Sequence, residues 1–256
     1  MRASYAARER ARSRLIFALD VGSLREAGEL VRALEGAVGM FKVGKQLFMK
    51  TGPRVIKYIH DRGGEVFLDL KFHDIPQTVA RASVEAARLG VAMFNVHASG
   101  STEMMRRTIT DVNRVCRTEH IRRPRVLAVT VLTSLSAADL DSIGVSAPAV
   151  EDQVVRLAVL AEQAGMDGVV ASPMEITPIR KACAPRFLIV TPGIRRSTDD
   201  PDDQQRTTDA AAAVEAGANF VVVGRPIRDA TDPRAEAEGI IDEIAEGLRA
   251  ARGVAR

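Results

Sequence analysis

Three charged side chains at the end of one apolar run are the part of this sequence best suited to chemistry. In Phe67-Leu68-Asp69-Leu70-Lys71-Phe72-His73-Asp74-Ile75-Pro76 a lysine stands between two aspartates. Alternation along a strand from Glu65 to Leu70 sends Val66, Leu68 and Leu70 to one side and Phe67, Asp69 and then Lys71 to the other, so Asp69 and Lys71 share a face. Pro76 has a fixed φ and no N–H, which suits the first turn of a helix and puts the charges in a strand-to-helix loop. Loops of this kind carry the chemistry of α/β folds. A salt bridge closing a strand end would contribute little and needs one carboxylate, not two. Acids on either side of Lys71 would hold it charged and aimed, as fixed charge for a developing anion.

The elements that must position these groups repeat along the chain. Arg14 to Asp20 is an apolar run ending in an acid, followed by Val21-Gly22-Ser23 and a helical pattern on Leu24, Ala27, Leu30, Val31 and Leu34. Met40 to Gly44 repeats the device with Lys42 inside a short apolar strand, where a cation needs a partner or a ligand. Thr51 to Arg62 reads as the next helix, and the helix after the central strand runs from Pro76 to Leu89. Further strands are expected at 93–97, 125–130, 167–171, 187–191 and 219–223. Helices are expected through Met104, Met105, Ile109 and Val112, over 150–164, over 175–182 and from Thr208, with a last helical region after Gly224-Arg225-Pro226. Eight strand-helix units without a dividing linker predict one (β/α)₈ TIM-barrel domain over 14–256, preceded by a disordered basic tail over 1–13. An open doubly wound sheet is the alternative, but Asp20-Val21-Gly22-Ser23 stands where its glycine-rich dinucleotide loop belongs.

On a barrel, Asp20, Lys42, Asp69, Lys71, His97, Thr133, Pro192 and Gly224 all fall at or just past C-terminal strand ends, so residues distant in sequence gather at one mouth. Gly224-Arg225 after the eighth strand combines exposed backbone N–H groups with a guanidinium fork, the makings of a phosphate site. The polar connection from Pro192 to Arg206, with its acidic stretch Ser197 to Asp203, is long enough to be a lid hinged near Gly193. His60 and His120 read as surface residues, while His73 and His97 suit supporting hydrogen bonds. No Cys, His or Asp set has metal-ligand spacing, and no cofactor motif is visible.

Composition bounds the partners. The net charge of +3 is concentrated in the first residues, at Arg2, Arg8, Arg10, Arg12 and Arg14, which argues against a nucleic-acid surface. No apolar run approaches the roughly 20 residues of a membrane span. Glu9 interrupts the basic segment and no apolar stretch accompanies it, unlike a targeting peptide. Two cysteines, Cys116 and Cys183, in helical patterns suit a reduced, cytoplasmic protein.

These segments together resemble the orotidine 5′-phosphate decarboxylase family. The likeness runs from Leu15 to about Ala237 and rests on Phe41 to Gly44, Phe67 to Pro76, Asn95 to Ala98, Val129 to Ser134, Thr191 to Arg195, Asp203-Gln204 and Val223 to Pro226. Asp-x-Lys-x-x-Asp alone is shared with sugar-phosphate lyases of the same superfamily, but those carry a magnesium-binding glutamate where this sequence has Lys42. The resemblance implies cofactor-independent decarboxylation of orotidine 5′-phosphate to UMP, the last step of de novo pyrimidine biosynthesis. It implies that Lys42, Asp69, Lys71 and Asp74 form a catalytic charge network in which Lys71 protonates ring carbon six. Asp20 and Lys42 would hold the ribose hydroxyls, Thr133 would meet the pyrimidine, and Arg195, Gln204, Gly224 and Arg225 would take the phosphate, with Asp69 and Pro192 completing the substrate set. It further implies a homodimer in which Asp74, Ile75 and Thr78 reach the neighbouring subunit's site. Three departures are visible: Gly100-Ser101 in place of paired glycines, Gln205 in place of a basic residue, and the extra N-terminal segment. A catalytically silent nucleotide-binding protein that keeps the phosphate grip is the reading from another class.

Overall fold

The computed structural model describes residues 2–147, 149–194 and 208–254. Its strands are β1 (Leu15–Ala18), β2 (Met40–Gly44), β3 (Val66–Phe72), β4 (Met93–His97), β5 (Arg125–Val129), β6 (Gly168–Val170), β7 (Leu188–Thr191) and β8 (Phe220–Val223). They form a closed barrel in the order β1-β2-β3-β4-β5-β6-β7-β8, the (β/α)₈ architecture expected from the sequence. Buried parallel strands read as continuous apolar runs, and β1 and β8 are buried at every position. Phe17, Phe67 and Phe94 are among the largest side chains removed from solvent completely.

The described residues pack as two compact units, one comprising 2–70, 194 and 208–254 and the other the remainder. In the first, β1 lies between β8 and β2, with Phe17 opposite both Phe41 and Val223. The edge of one phenyl ring meets the face of the other between Phe17 and Phe41, with centroids 6.4 Å apart. β2 and β3 pair from Phe41 with Val66 to Gly44 with Asp69, which sets Lys42 one residue before the position opposite Leu68. The helix expected over 51–62 is present as Arg54–His60, and a first, unexpected helix, Lys45–Thr51, precedes it. Gly52 at φ +58° and Pro53 end the first, because a left-handed glycine followed by a proline cannot continue it.

The basic segment expected to be a disordered tail forms a helix, Arg2–Arg12. It packs against the long C-terminal helix Pro233–Val254, with Ala11 fully buried, Arg12 donating to the Val38 carbonyl at 3.1 Å, and Arg8 3.8 Å from both Glu238 and Asp242. Alanine and arginine are strong helix formers, so this helix needs no apolar stripe to announce it.

In the second unit β4, β5, β6 and β7 pair in succession. β6 requires glycine at its first residue, since a Cβ on Gly168 would collide with the Leu188 carbonyl of β7. Asp167 ties this sheet at its entrance, its Oδ2 accepting from Arg123 at 2.8 Å and from the Val126 amide at 2.7 Å. The helices Pro76–Arg88 and Thr102–Thr118 pack on each other.

Candidate active site

Lys42 lies within β2, and a buried ammonium there must find carboxylates. It finds two. Its Nζ is 3.2 Å from Asp20 Oδ1 and 3.3 Å from Asp69 Oδ2, at side-chain exposures of 12% for Lys42, 10% for Asp69 and 55% for Asp20. Burial pushes the ammonium pKa down, but Asp69 and Asp20 outweigh it and the net shift is upward from the ordinary lysine value, so Lys42 is charged at neutral pH. Gly44 lies beside this cluster, where a Cβ would make ordinary contact, 3.4 Å from Asp20 Oδ1 and 3.6 Å from Lys42 Nζ.

The loop after β8 approaches Asp20 as well. A Cβ on Gly224 would lie 3.8 Å from Asp20 Oδ2, and Gly224 caps the short helix Arg225–Arg228 that presents Arg225. Arg228, absent from the sequence-based site, donates to the Asp20 carbonyl at 3.1 Å and grips Asp229 through two hydrogen bonds of 2.6 and 2.8 Å. That pairing holds the Asp229 carboxyl below the usual carboxylate range. Its sequence signal was slight, an arginine three residues after Arg225 and followed by an acid.

Lys71 differs from the sequence reading in its backbone. β3 continues to Phe72, but Lys71 has φ +52°, outside the extended region in which side chains alternate, so alternation does not place its side chain. A left-handed backbone costs a residue with a Cβ about 1–2 kcal/mol. The Lys71 amide donates to Asn95 Oδ1 at 2.8 Å, and Asn95, in the middle of β4, is 1% exposed. Sequence reasoning took Asn95 only as part of a motif; its signal was an amide side chain inside an apolar strand.

Beyond β3 the chain turns outward. Asp74 accepts from the following Ile75 amide at 2.6 Å, Pro76 opens the helix Pro76–Arg88, and Asp74, Ile75 and Thr78 are all exposed, Ile75 by 65%. The His73 and His97 rings lie 5.3 Å apart at 40°. Thr133 is half-buried in the loop after β5, and Pro192 half-buried after β7, next to Gly193 at φ +79°. Ile194 and Thr208 form a parallel bridge across the base of the polar connection. Arg195, Gln204 and the proposed lid Ser197 to Asp203 lie outside the described residues.

Asp20, Lys42 and Asp69 are thus brought into contact at C-terminal ends of barrel strands, where (β/α)₈ enzymes keep their active sites. That defines the class of protein: a barrel enzyme whose mouth carries fixed paired charge. The family model described as Orotidine 5′-phosphate decarboxylase / HUMPS family matches residues 13–240. A relative from Geobacter sulfurreducens named orotidine 5′-phosphate decarboxylase is 53% identical over 240 residues, covering 94% of this chain and 99% of its own. Another of the same name from Syntrophotalea carbinolica is 54% identical over 238 residues, covering 93% and 97%. The crystal structure of orotidine 5′-phosphate decarboxylase from Lactobacillus acidophilus, 35% identical, superposes with a TM-score of 0.80 over 90% of this chain and 98% of that one. An uncharacterized conserved protein from Geobacillus kaustophilus, 33% identical, gives 0.79 over 90% and 99%. The chain belongs to the orotidine 5′-phosphate decarboxylase family, and the enzyme class expected from its sequence, a carboxy-lyase, stands with that membership.

Proposed function

We propose that this enzyme converts orotidine 5′-phosphate to UMP without a cofactor, with Lys71 as the proton donor. The bond between ring carbon six and the substrate carboxylate breaks, carbon dioxide leaves, and the electron pair stays on the ring carbon. The Lys71 ammonium then gives that carbon a proton. In a reaction that uses no electron-sink cofactor, stabilisation of the pair falls to fixed charge, and a charge pair about 4 Å apart is worth about 4 kcal/mol at an effective dielectric near 20. The observation that carries this reading is Lys42 held between Asp20 and Asp69 at 3.2 and 3.3 Å, with Lys71 two residues beyond Asp69 in the same strand.

In this reading Asp20 and Lys42 hold the ribose hydroxyls, Asp69 and Asp74 hold Lys71 charged, and Thr133 and Pro192 border the pyrimidine. Gly224 and Arg225, joined by Arg195 and Gln204, take the phosphate. The protein acts as a homodimer whose partner receives Asp74, Ile75 and Thr78; an aspartate beside an isoleucine 65% exposed is a combination that a second copy would cover. Among the described residues no helix is long and apolar enough to cross a membrane, and the two buried free thiols suit the cytoplasm. The experiment is loss of orotidine 5′-phosphate absorbance on purified protein with EDTA present. Turnover insensitive to EDTA supports the reading; activity that returns only with added magnesium overturns it.

A further inference from the structure

We propose that Asn95 is a positioning residue for the reaction, a clamp that holds the Lys71 backbone in its left-handed conformation and so sets where the ammonium is delivered. Lys71 is one of three described non-glycine residues with positive φ, and the only one within a strand; the other two, Ser101 and His120, lie at helix ends. A residue in that region persists only where its surroundings over-determine it. Asn95 supplies such a constraint. Its side-chain oxygen accepts the Lys71 N–H at 2.8 Å, and the side chain rises from a strand that is itself paired residue by residue with β5, Asn95 opposite Leu127. At 1% exposure the Asn95 side chain is shielded from bulk solvent.

The consequence is directional. Ordinary parallel-strand backbone has φ near −120°, so relaxation of Lys71 from +52° would turn the chain there by roughly 170° and carry the long side chain with it. A catalytic group displaced by about 1 Å can lose about 10²-fold in rate. Asn95 touches the Lys71 backbone amide, so its contribution reaches the reaction through the placement of Lys71. A leucine or alanine would satisfy the burial at position 95 but could not accept the Lys71 N–H.

This inference rests on Lys71 being the proton donor, and the test separates the two. Steady-state kinetics on Asn95→Ala with orotidine 5′-phosphate should show kcat lowered by about 10- to 100-fold with KM within about threefold of the parent, since the contacts that bind substrate lie elsewhere. Thermal unfolding of Asn95→Ala, Lys71→Gly and the double variant supplies a readout independent of turnover. Glycine adopts positive φ without strain, so the Tm loss from Asn95→Ala should shrink by at least about half in the Lys71→Gly background. Should Asn95→Ala fail to fold alone, the double variant should fold, and a double variant that fails alike overturns the clamp. A kcat loss under about threefold, or an equal Tm loss in both backgrounds, also overturns it. Lys71→Ala run beside them tests the other reading: activity within about tenfold of the parent removes Lys71 as donor whatever Asn95 does.

Discussion

Replacing Lys42 by methionine would remove the cation from between Asp20 and Asp69 while keeping the volume of its side chain, and the structure sets the size of the effect. Asp69 is 10% exposed at its side chain and would lose the ammonium 3.3 Å away, whereas Asp20 at 55% exposure would be screened by solvent. Breaking a buried pair from one side costs up to about 3–5 kcal/mol, because the carboxylate loses a countercharge that offset its burial. For a chain of this size about 3 kcal/mol lowers Tm by about 6–12 °C. Adding Asp69→Asn to Lys42→Met should recover part of that loss, since the second substitution removes the buried charge whose countercharge the first took away. The pH dependence follows from the raised Lys42 pKa: its stabilisation is complete below the ordinary lysine value and is lost only as pH climbs through the higher folded value. The cost of Lys42→Met should therefore be constant from about pH 6 to 9 and shrink only in strong alkali. Differential scanning calorimetry of the parent, Lys42→Met and the double variant checks this. An unchanged Tm in Lys42→Met, or a double variant less stable than Lys42→Met alone, would refute the charge-pair reasoning.

Two further outcomes concern substrate and assembly. Arg225→Ala should lower kcat/KM sharply, and phosphite dianion should raise the parent enzyme's rate on the phosphate-free nucleoside; no response would remove the coupling of phosphate contacts to the chemical step. Lys71→Ala and Asp74→Asn proteins, each nearly inactive, should regain activity when mixed, dissociated and reassembled. About half of randomly paired dimers would be hybrids with one intact site, restoring about a quarter of all sites; no recovery would return Asp74 to its own barrel.

The barrel was legible because short apolar runs, the form that buried parallel strands take, recur between helical patterns, as at Met40 to Gly44 and Phe220 to Val223. The Lys42 cluster was legible for the same reason, as a cation in an apolar strand must be paired. What stayed hidden depends on geometry that residue type does not encode. Lysine does not announce positive φ, so the special backbone at position 71 and the partner at Asn95 emerged only in three dimensions. Arg228 belongs to no motif in the sequence, and only its contact with the Asp20 carbonyl, 208 positions away, draws attention to it. The Arg2–Arg12 helix was missed because ion pairs and the buried Ala11 anchor it where an apolar face was expected.

The most direct test of the proposed chemistry is turnover of orotidine 5′-phosphate by the parent enzyme and by Lys71→Ala, both checked for a native fold by circular dichroism. Each tenfold loss corresponds to about 1.4 kcal/mol of barrier, and removal of the proton donor together with a central charge predicts a loss of several orders of magnitude in kcat/KM. Activity in Lys71→Ala within about tenfold of the parent would contradict the assignment of Lys71 as the group that protonates the ring.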